Sequence, residues 1–171
     1  MTDLRVRVLG IDPGSVRTGY GILDALGTRL TYVASGVIRT TDGEFAVRLC
    51  EIFRAVQSIV AEYQPHEVAI ERVFVNRNAE SALKLGQARG AAICGAADVN
   101  ASIYEYAPRE IKLAVVGSGS AEKAQVQLMM KNILKLHHPV AADAADALAA
   151  AVCHALRGRV RAALSRAAGR R

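Results

Sequence analysis

The stretch LRVRVLGIDPGSVRTGYGIL, residues 4–23, restricts the possible folds more than any other part of the chain. Two β-prone apolar runs, 4–11 and 18–26, flank Asp-Pro-Gly-Ser, a tetrapeptide that stops a strand and turns the backbone. A third strand-like run, 30–39, follows after a short turn at Gly27. Three consecutive strands with links this short can pair only as an antiparallel meander, because a parallel crossover needs a dozen residues or more.

Periodicity then changes from two to 3.6. In EFAVRLCEIFRAVQSIVAEYQP, Leu49, Ile52, Phe53, Val56, Ile59, Val60 and Tyr63 recur at three- and four-residue spacing, predicting an amphipathic helix stopped by Pro65. EVAIERVF reads as a short buried strand. The segment 78–99 is helical and rich in small residues, with Ala79, Ala82, Gly86, Gly90 and Ala97 roughly along one face, so a sheet or a partner subunit is expected to approach it closely. SIYEYA supplies a fifth strand, and Pro108 opens a short helix to Val116. Ser120 is the expected N-cap of a helix over 121–136 with Val126, Met129, Met130, Ile133 and Leu134 inward. After the His137-His138-Pro139 break, a last helix over 144–157 is expected to close at Gly158. The order β-β-β-α-β-α-β-α-α-α describes an α/β domain with a mixed sheet flanked by helices, spanning 1–157 and followed by an Arg-rich, flexible tail over 158–171.

Charge narrows the function. From Arg157 onward the chain carries Arg157, Arg159, Arg161, Arg166, Arg170 and Arg171 and no acid, so the formal net charge of +6 resides there. Residues 72–135 are also mainly basic, a distribution suited to a polyanion. No apolar run approaches the roughly 20 residues needed to span a bilayer, and no basic-then-apolar leader opens the chain, so a cytoplasmic location and no membrane partner are expected. Cys50, Cys94 and Cys153, each in an apolar setting, are expected to be buried, reduced thiols.

Four acids stand where acids are unfavourable or paired. Asp12 and Glu71 each end an apolar strand, where desolvation is costly unless a cation offsets it. Asp143 and Asp146 lie three apart in the first turn of the last helix and project from one face. Taken singly, each has an ordinary structural explanation: a turn cap at Asp12, an ion pair of Glu71 with Arg109 or with neighbours of Arg72, first-turn acids at Asp143 and Asp146. Together, four carboxylates are a hard oxygen donor set suited to Mg²⁺ or Mn²⁺. Two such ions roughly 3.5–4 Å apart can activate a water and stabilise a leaving oxygen in phosphodiester hydrolysis. Asp12 is expected to bridge both ions, with Glu71 on one and the Asp143/Asp146 pair on the other. Around them, Arg77, Arg89, Arg109, Lys112 and Lys123 are candidate phosphate contacts. Phe74, beside Glu71 and Arg77, is either a core residue or a base-stacking wedge.

LGIDPGSVRTGYGIL, AIERVFVNRNAESALKLGQARGAA, VVGSGSAEKAQVQ and ADAADALAAAVCHA, in this order, closely resemble the RuvC family of Holliday-junction resolvases across about residues 4–156. The resemblance implies a ribonuclease-H-like five-stranded mixed sheet and a homodimer making paired symmetric nicks of like polarity in four-way junction DNA. It further implies a Mg²⁺-dependent endodeoxyribonuclease, with two ions per site and Mn²⁺ substituting, that leaves 5′-phosphate ends in recombination and repair. Carried over by position, the family's catalytic acids fall on Asp12, Glu71, Asp143 and Asp146, its junction-core aromatic on Phe74, and its basic residues near the scissile phosphate on Lys112 and Lys123. The small-residue helix matches the region where family subunits meet, and a branch-migration motor of RuvA with RuvB is the implied partner. The opening hairpin is also similar to the first phosphate-binding hairpin of actin-like and sugar-kinase-like ATPases, which require a second such hairpin and a larger chain.

Overall fold

A computed structural model describes residues 4–73, 78–97 and 101–168, with side-chain surroundings described as far as Gly158. The strands are β1 Val6–Asp12, β2 Arg17–Leu26, β3 Arg29–Arg39, β4 Glu67–Glu71 and β5 Ser102–Tyr106. The helices are α1 Phe45–Tyr63, α2 Ala79–Ala96, α3 Pro108–Val116, α4 Lys123–Ile133 and α5 Ala142–Ala168. As the spacing predicts, β1, β2 and β3 form an antiparallel meander. Strand β4 then pairs parallel with β1, and β5 parallel with β4, giving the sheet order β3-β2-β1-β4-β5.

Alternation along β1 sorts the two faces of this sheet. Leu9 and Ile11, with Ile22, Val68 and Ile70, bury against Ile52, Val56 and Val60 of α1 and Ala88, Ala92 and Ala96 of α2. Val8, on the other face with Leu23 and Ala69, packs with α3, α4 and α5 through Ile111, Met130, Leu148 and Val152. Gly10 and Asp12 follow Val8 in the same alternation, so both face α5.

Helix α5 sits unusually close to the strands. A Cβ on Gly10 would collide with the carbonyl oxygen of Ala147, and one on Gly19 with that of Asp143. A Cβ on Gly21 would lie 2.6 Å from Leu148 Cγ. Register aligns these residues, with Gly10 opposite Gly21 and Asp12 opposite Gly19. The glycines of the opening segment therefore clear a floor for the Ala-rich α5, whose residues Ala144, Ala145 and Ala147–Cys153 are all buried.

The structure departs from the sequence reading in four places. Helix α5 continues through Gly158 to Ala168. One helical glycine costs only about 1 kcal/mol relative to alanine, and the flanking Ala, Arg and Leu residues are strong helix formers. Helix α4 begins at Lys123, not after Ser120: the Ser120 hydroxyl lies 3.0 Å from that of Ser118, and Gln125 Oε1 accepts from the Glu122 amide at 2.8 Å to cap the first turn. Its C-terminal end also comes earlier, at Ile133, before Lys135 adopts a left-handed φ of 52°.

The third departure concerns α2. Its packed face is Ala88, Ala92, Gly95 and Ala96. A Cβ on Gly95 would stand 3.1 Å from Val56 Cβ, whereas one on Gly86 or Gly90 would meet nothing within 4 Å. The helix thus carries two small-residue faces, and the one read from Ala79, Ala82, Gly86, Gly90 and Ala97 is open at Gly86 and Gly90 among the described residues. Fourth, only Cys153 is a buried thiol, with burial pushing its pKa up to about 11; Cys50 and Cys94 are free and exposed. Both lie on apolar-rich helices but off the stripes that face the sheet.

Candidate active site

Strand register brings the first two acids together. Ile11 pairs with Ile70 in the parallel β1–β4 ladder, so the next residues, Asp12 and Glu71, leave adjacent strands side by side at the same end. Ala69, two residues before Glu71, belongs to the α5-side core, so Glu71 shares that face with Asp12. Helix α5 contributes Asp146 at the level where Ala147 touches Gly10. Asp12, Glu71 and Asp146 line one cavity of about 190 Å³, together with Lys112 of α3, Lys123 of α4 and the apolar walls Pro108, Ile111, Val126 and Ala149.

Charge in this cavity is unbalanced. Burial pushes the Asp12 carboxyl up to about 8, with further increases from the Glu71, Asp146 and Asp143 charges and a smaller opposing pull from Lys123. Burial likewise lifts Glu71 to about 7, aided by Asp146 and opposed by Lys123 and Lys112. Asp146 is raised by burial although Lys123 Nζ stands 3.3 Å from its Oδ2. Lys123 is in turn raised, chiefly by Asp146. Two lysines do not neutralise this set, so the cavity favours an added cation.

Asp143 lies one turn before Asp146, with its backbone carbonyl over Gly19, and does not line the cavity. Its charge reaches Asp12, so it stands at the rim. Among the described residues, no three of His, Cys, Asp and Glu come close enough to form a ready-made metal cage. The donors still fit Mg²⁺, which keeps several waters and takes one or two protein carboxylates plus substrate phosphate oxygens. They are hard oxygens, and at Asp12 and Glu71 burial and neighbouring negative charge oppose ionisation, a state that a divalent ion relieves.

The remaining candidates are distributed differently. Arg89 pairs with Glu105 of β5, and its buried Nε has no hydrogen-bond acceptor among the described residues, so the side chain is committed to the α2–β5 packing. Arg109 is exposed at the start of α3 and its stem lies over Gly119, which has no side chain to obstruct it. The VGSGS segment is a helix exit, with Gly117 left-handed at φ 83° and closing α3. Phe74 and Arg77 lie outside the described residues. Among the described residues Glu71 forms no ion pair, with Arg109 or with any neighbour of Arg72; Arg72 and Arg157 both hold Glu110, at 2.8 and 3.0 Å. His137 and His138 line a separate depression beside residues 28–32, where the His138 ring meets Tyr32 edge-on at 5.6 Å.

One polar feature carries no sequence signal. His154, 1% exposed, stands 2.7 Å from the Tyr106 hydroxyl through Nδ1 and 2.6 Å from Glu67 Oε2 through Nε2, with the Tyr104 ring tilted against it at a centroid distance of 4.5 Å. This connects α5 to β4 and β5. The Tyr106 carbonyl then accepts from Arg72 N at 2.7 Å, just past Glu71, so the end of β4 is anchored on both sides. Only spatial proximity reveals it, because Glu67, Tyr106 and His154 are far apart in sequence.

Residues 8–154 match the family described as Crossover junction endodeoxyribonuclease RuvC. The chain belongs to the RuvC family. The RuvC of Pseudoalteromonas translucida is 54% identical over 148 residues, covering 86% of this chain and 85% of that one. The solved structure of Thermus thermophilus RuvC in complex with Holliday junction substrate superposes with a TM-score of 0.83 at 33% identity, covering 91% of this chain and 96% of that chain. The yeast mitochondrial Holliday junction resolvase Ydc2, 14% identical with a TM-score of 0.56, shares the fold. The mixed five-stranded sheet is thus the ribonuclease-H-like architecture that the RuvC motifs lead one to expect.

Proposed function

We propose that this chain is a structure-selective endonuclease that resolves four-way DNA junctions by paired symmetric nicks, serving recombination and repair in the cytoplasm. The observation that carries the reading is the convergence of Asp12, Glu71 and Asp146 with Lys112 and Lys123 in one cavity, in a chain matching RuvC over residues 8–154. The junction-bound Thermus thermophilus relative supports the substrate. Among the described residues, no helix is long and apolar enough to cross a membrane.

Asp12, Glu71 and Asp146, with Asp143 at the rim, are the residues that would hold Mg²⁺ or Mn²⁺. When bound, a pair of divalent ions supplies an acidified water and stabilises charge on the departing 3′ oxygen. Lys112 and Lys123 draw the scissile phosphate toward the acids and offset the charge gathering on its non-bridging oxygens. Pro108, Ile111, Val126 and Ala149 wall the cavity and limit bulk water, strengthening these interactions. Hydrolysis breaks the P–O3′ bond and leaves a 5′ phosphate and a 3′ hydroxyl. Phe74, which follows β4 by three residues, stacks on an unpaired base at the junction core, and Arg77 and Arg109 contribute backbone contacts. RuvA with RuvB is the partner implied by the family likeness.

Two-fold symmetry matches the two equivalent cuts of a four-way junction. The open face of α2 around Gly86, Gly90 and the 68%-exposed Leu83 is the surface proposed for the homodimer. Gly90→Leu should leave the chain folded, because no described residue lies within 4 Å of a Cβ at that position, while sedimentation shifts from dimer to monomer. An unchanged sedimentation profile would remove this face from the interface.

The purified protein with Mg²⁺ is expected to nick a synthetic four-way junction at paired symmetric positions, read on denaturing gels. Equal cutting of linear duplex, or robust ATP hydrolysis, would overturn the reading. Phe74→Ala should retain divalent-ion binding by calorimetry and lose junction cutting; full cutting would return Phe74 to a packing role.

A further inference from the structure

Beyond the acid cavity, the same end of the sheet carries a second feature that none of the residues assigned above explains. Arg17 opens β2 and Arg39 ends β3, and the two are paired directly opposite each other in the antiparallel ladder. Both are exposed, and no carboxylate among the described residues forms an ion pair with either. Like charges directly opposite across a ladder are destabilising, and an anion held between the two guanidinium groups would offset that cost.

The face and location of the pair are fixed by register. Asp12 is opposite Gly19, and Gly19 is opposite Val37. Arg17 and Arg39 are each two residues beyond these positions, so by alternation they project from the face that carries Asp12. Gly19 lies under the Asp143 carbonyl at the start of α5, so the arginines stand just past the end of that helix, in the open. With about 4.8 Å between strands and 3.4 Å per residue, their Cα atoms are roughly 8 and 12 Å from that of Asp12.

The backbone beneath the pair is braced from the opposite side of the sheet. Thr40 N donates to Val16 O at 3.1 Å, joining the residue after Arg39 to the residue before Arg17. Arg48 of α1 donates through Nη2 to Ser15 O and through Nε to Thr40 Oγ1, the latter at 3.2 Å. Glu51 accepts from Thr41 N at 2.9 Å and from its hydroxyl at 2.7 Å. The backbone that carries the two arginines is therefore held in place before an anion arrives, and the ordering left to do is in the side chains.

We propose that Arg17 and Arg39 form a phosphate clamp that grips the DNA strand one to two nucleotides from the phosphate being cut. The clamp rests on the junction-nuclease reading and adds to it a backbone contact on the β2–β3 side of Asp12, opposite the Lys112–Lys123 side. It sets which stretch of strand lies across the acids without reading its bases.

The test measures affinity for a four-way junction across a salt series in EDTA, with Mg²⁺-dependent cutting by the unmodified protein as a parallel arm. Arg17→Ala and Arg39→Ala are each expected to bind roughly 3- to 10-fold more weakly at moderate salt and to lower the salt slope by about one. Their thermal midpoints should hold or rise, because a like-charge pair has been removed. Arg39→Lys should keep the slope. The clamp is overturned if both alanine variants retain the unmodified affinity and slope, or if Arg39→Lys loses as much slope as Arg39→Ala, which marks a shape role instead. Cutting by the unmodified protein together with either of those results rejects the clamp alone; no junction binding by the unmodified protein rejects the clamp and the proposed function together.

Discussion

Asp12→Asn should abolish junction cutting while raising the stability of the metal-free protein. The loss is expected to exceed about 10³-fold, since positioned cations supply several kcal/mol of transition-state stabilisation and Asp12 belongs to the proposed donor set. Junction binding should persist, because phosphate contacts come from basic groups. The stability gain has a defined pH window. The folded carboxyl is raised to about 8 from 3.8, so between these values the fold holds a proton that the unfolded chain has released. That contribution is complete below about pH 4 and is lost as pH climbs through 8, and Glu71, raised to about 7, adds in the same direction. Metal-free protein is therefore expected to melt lower at pH 8.5 than at pH 5.5. The gain from Asp12→Asn should be roughly 2–4 kcal/mol larger at pH 8.5 than at pH 5.5, about 5–10 °C in thermal midpoint, and smallest near pH 4. Added Mg²⁺ should raise the midpoint of the unmodified protein and leave the variant nearly unmoved. Equal midpoints for both proteins at pH 8.5 would show that the cavity is not strained by its own charge.

The second large effect is structural. Gly10→Ala places a methyl group against the Ala147 carbonyl and 2.9 Å from Ala151 N, both backbone atoms within α5. Neither can rotate aside, so the helix must lift from β1. The cost is expected at about 3 kcal/mol or more, a fall of roughly 6–12 °C, accompanied by loss of cutting because Asp146 moves with α5. Thermal melting and far-UV dichroism distinguish this from a purely catalytic defect, and near-native melting would disprove the close seating of α5. Within this pair of predictions, one residue of β1 weakens the fold in order to hold chemistry, and another gives up its side chain in order to bring that chemistry together.

Much of the site was legible before any coordinates. Asp12 and Glu71 stand out because acids are costly at the ends of apolar strands, and Asp143 with Asp146 because three-residue spacing on a helix is a strictly local rule. Which acids share a cavity was not legible. Asp146 enters it and Asp143 stays at the rim, a distinction set by how α5 lies across the glycines. Arg89 illustrates the opposite case: in the sequence it is one more cation in a basic stretch, whereas in the fold it is held by Glu105. Nothing local in the sequence signals that Arg17 and Arg39, 22 positions apart, face each other in a ladder. The thiols follow the same logic, since an apolar neighbourhood in sequence does not say which side of a helix meets the core.

By itself the sequence determined the order of ten elements and the antiparallel start of the sheet, and it marked the acids that stand at costly or paired positions, because periodicity, turn chemistry and short loops act over a few residues. Only the tertiary structure decided that Lys112 and Lys123 meet Asp12 from separate helices, that His154 ties Glu67 to Tyr106, and that α2 leaves one of its two small-residue faces open. Those outcomes depend on how closely whole elements approach and in which register. Burial and backbone contact across the entire sheet set that approach, and no local stretch of the chain contains it.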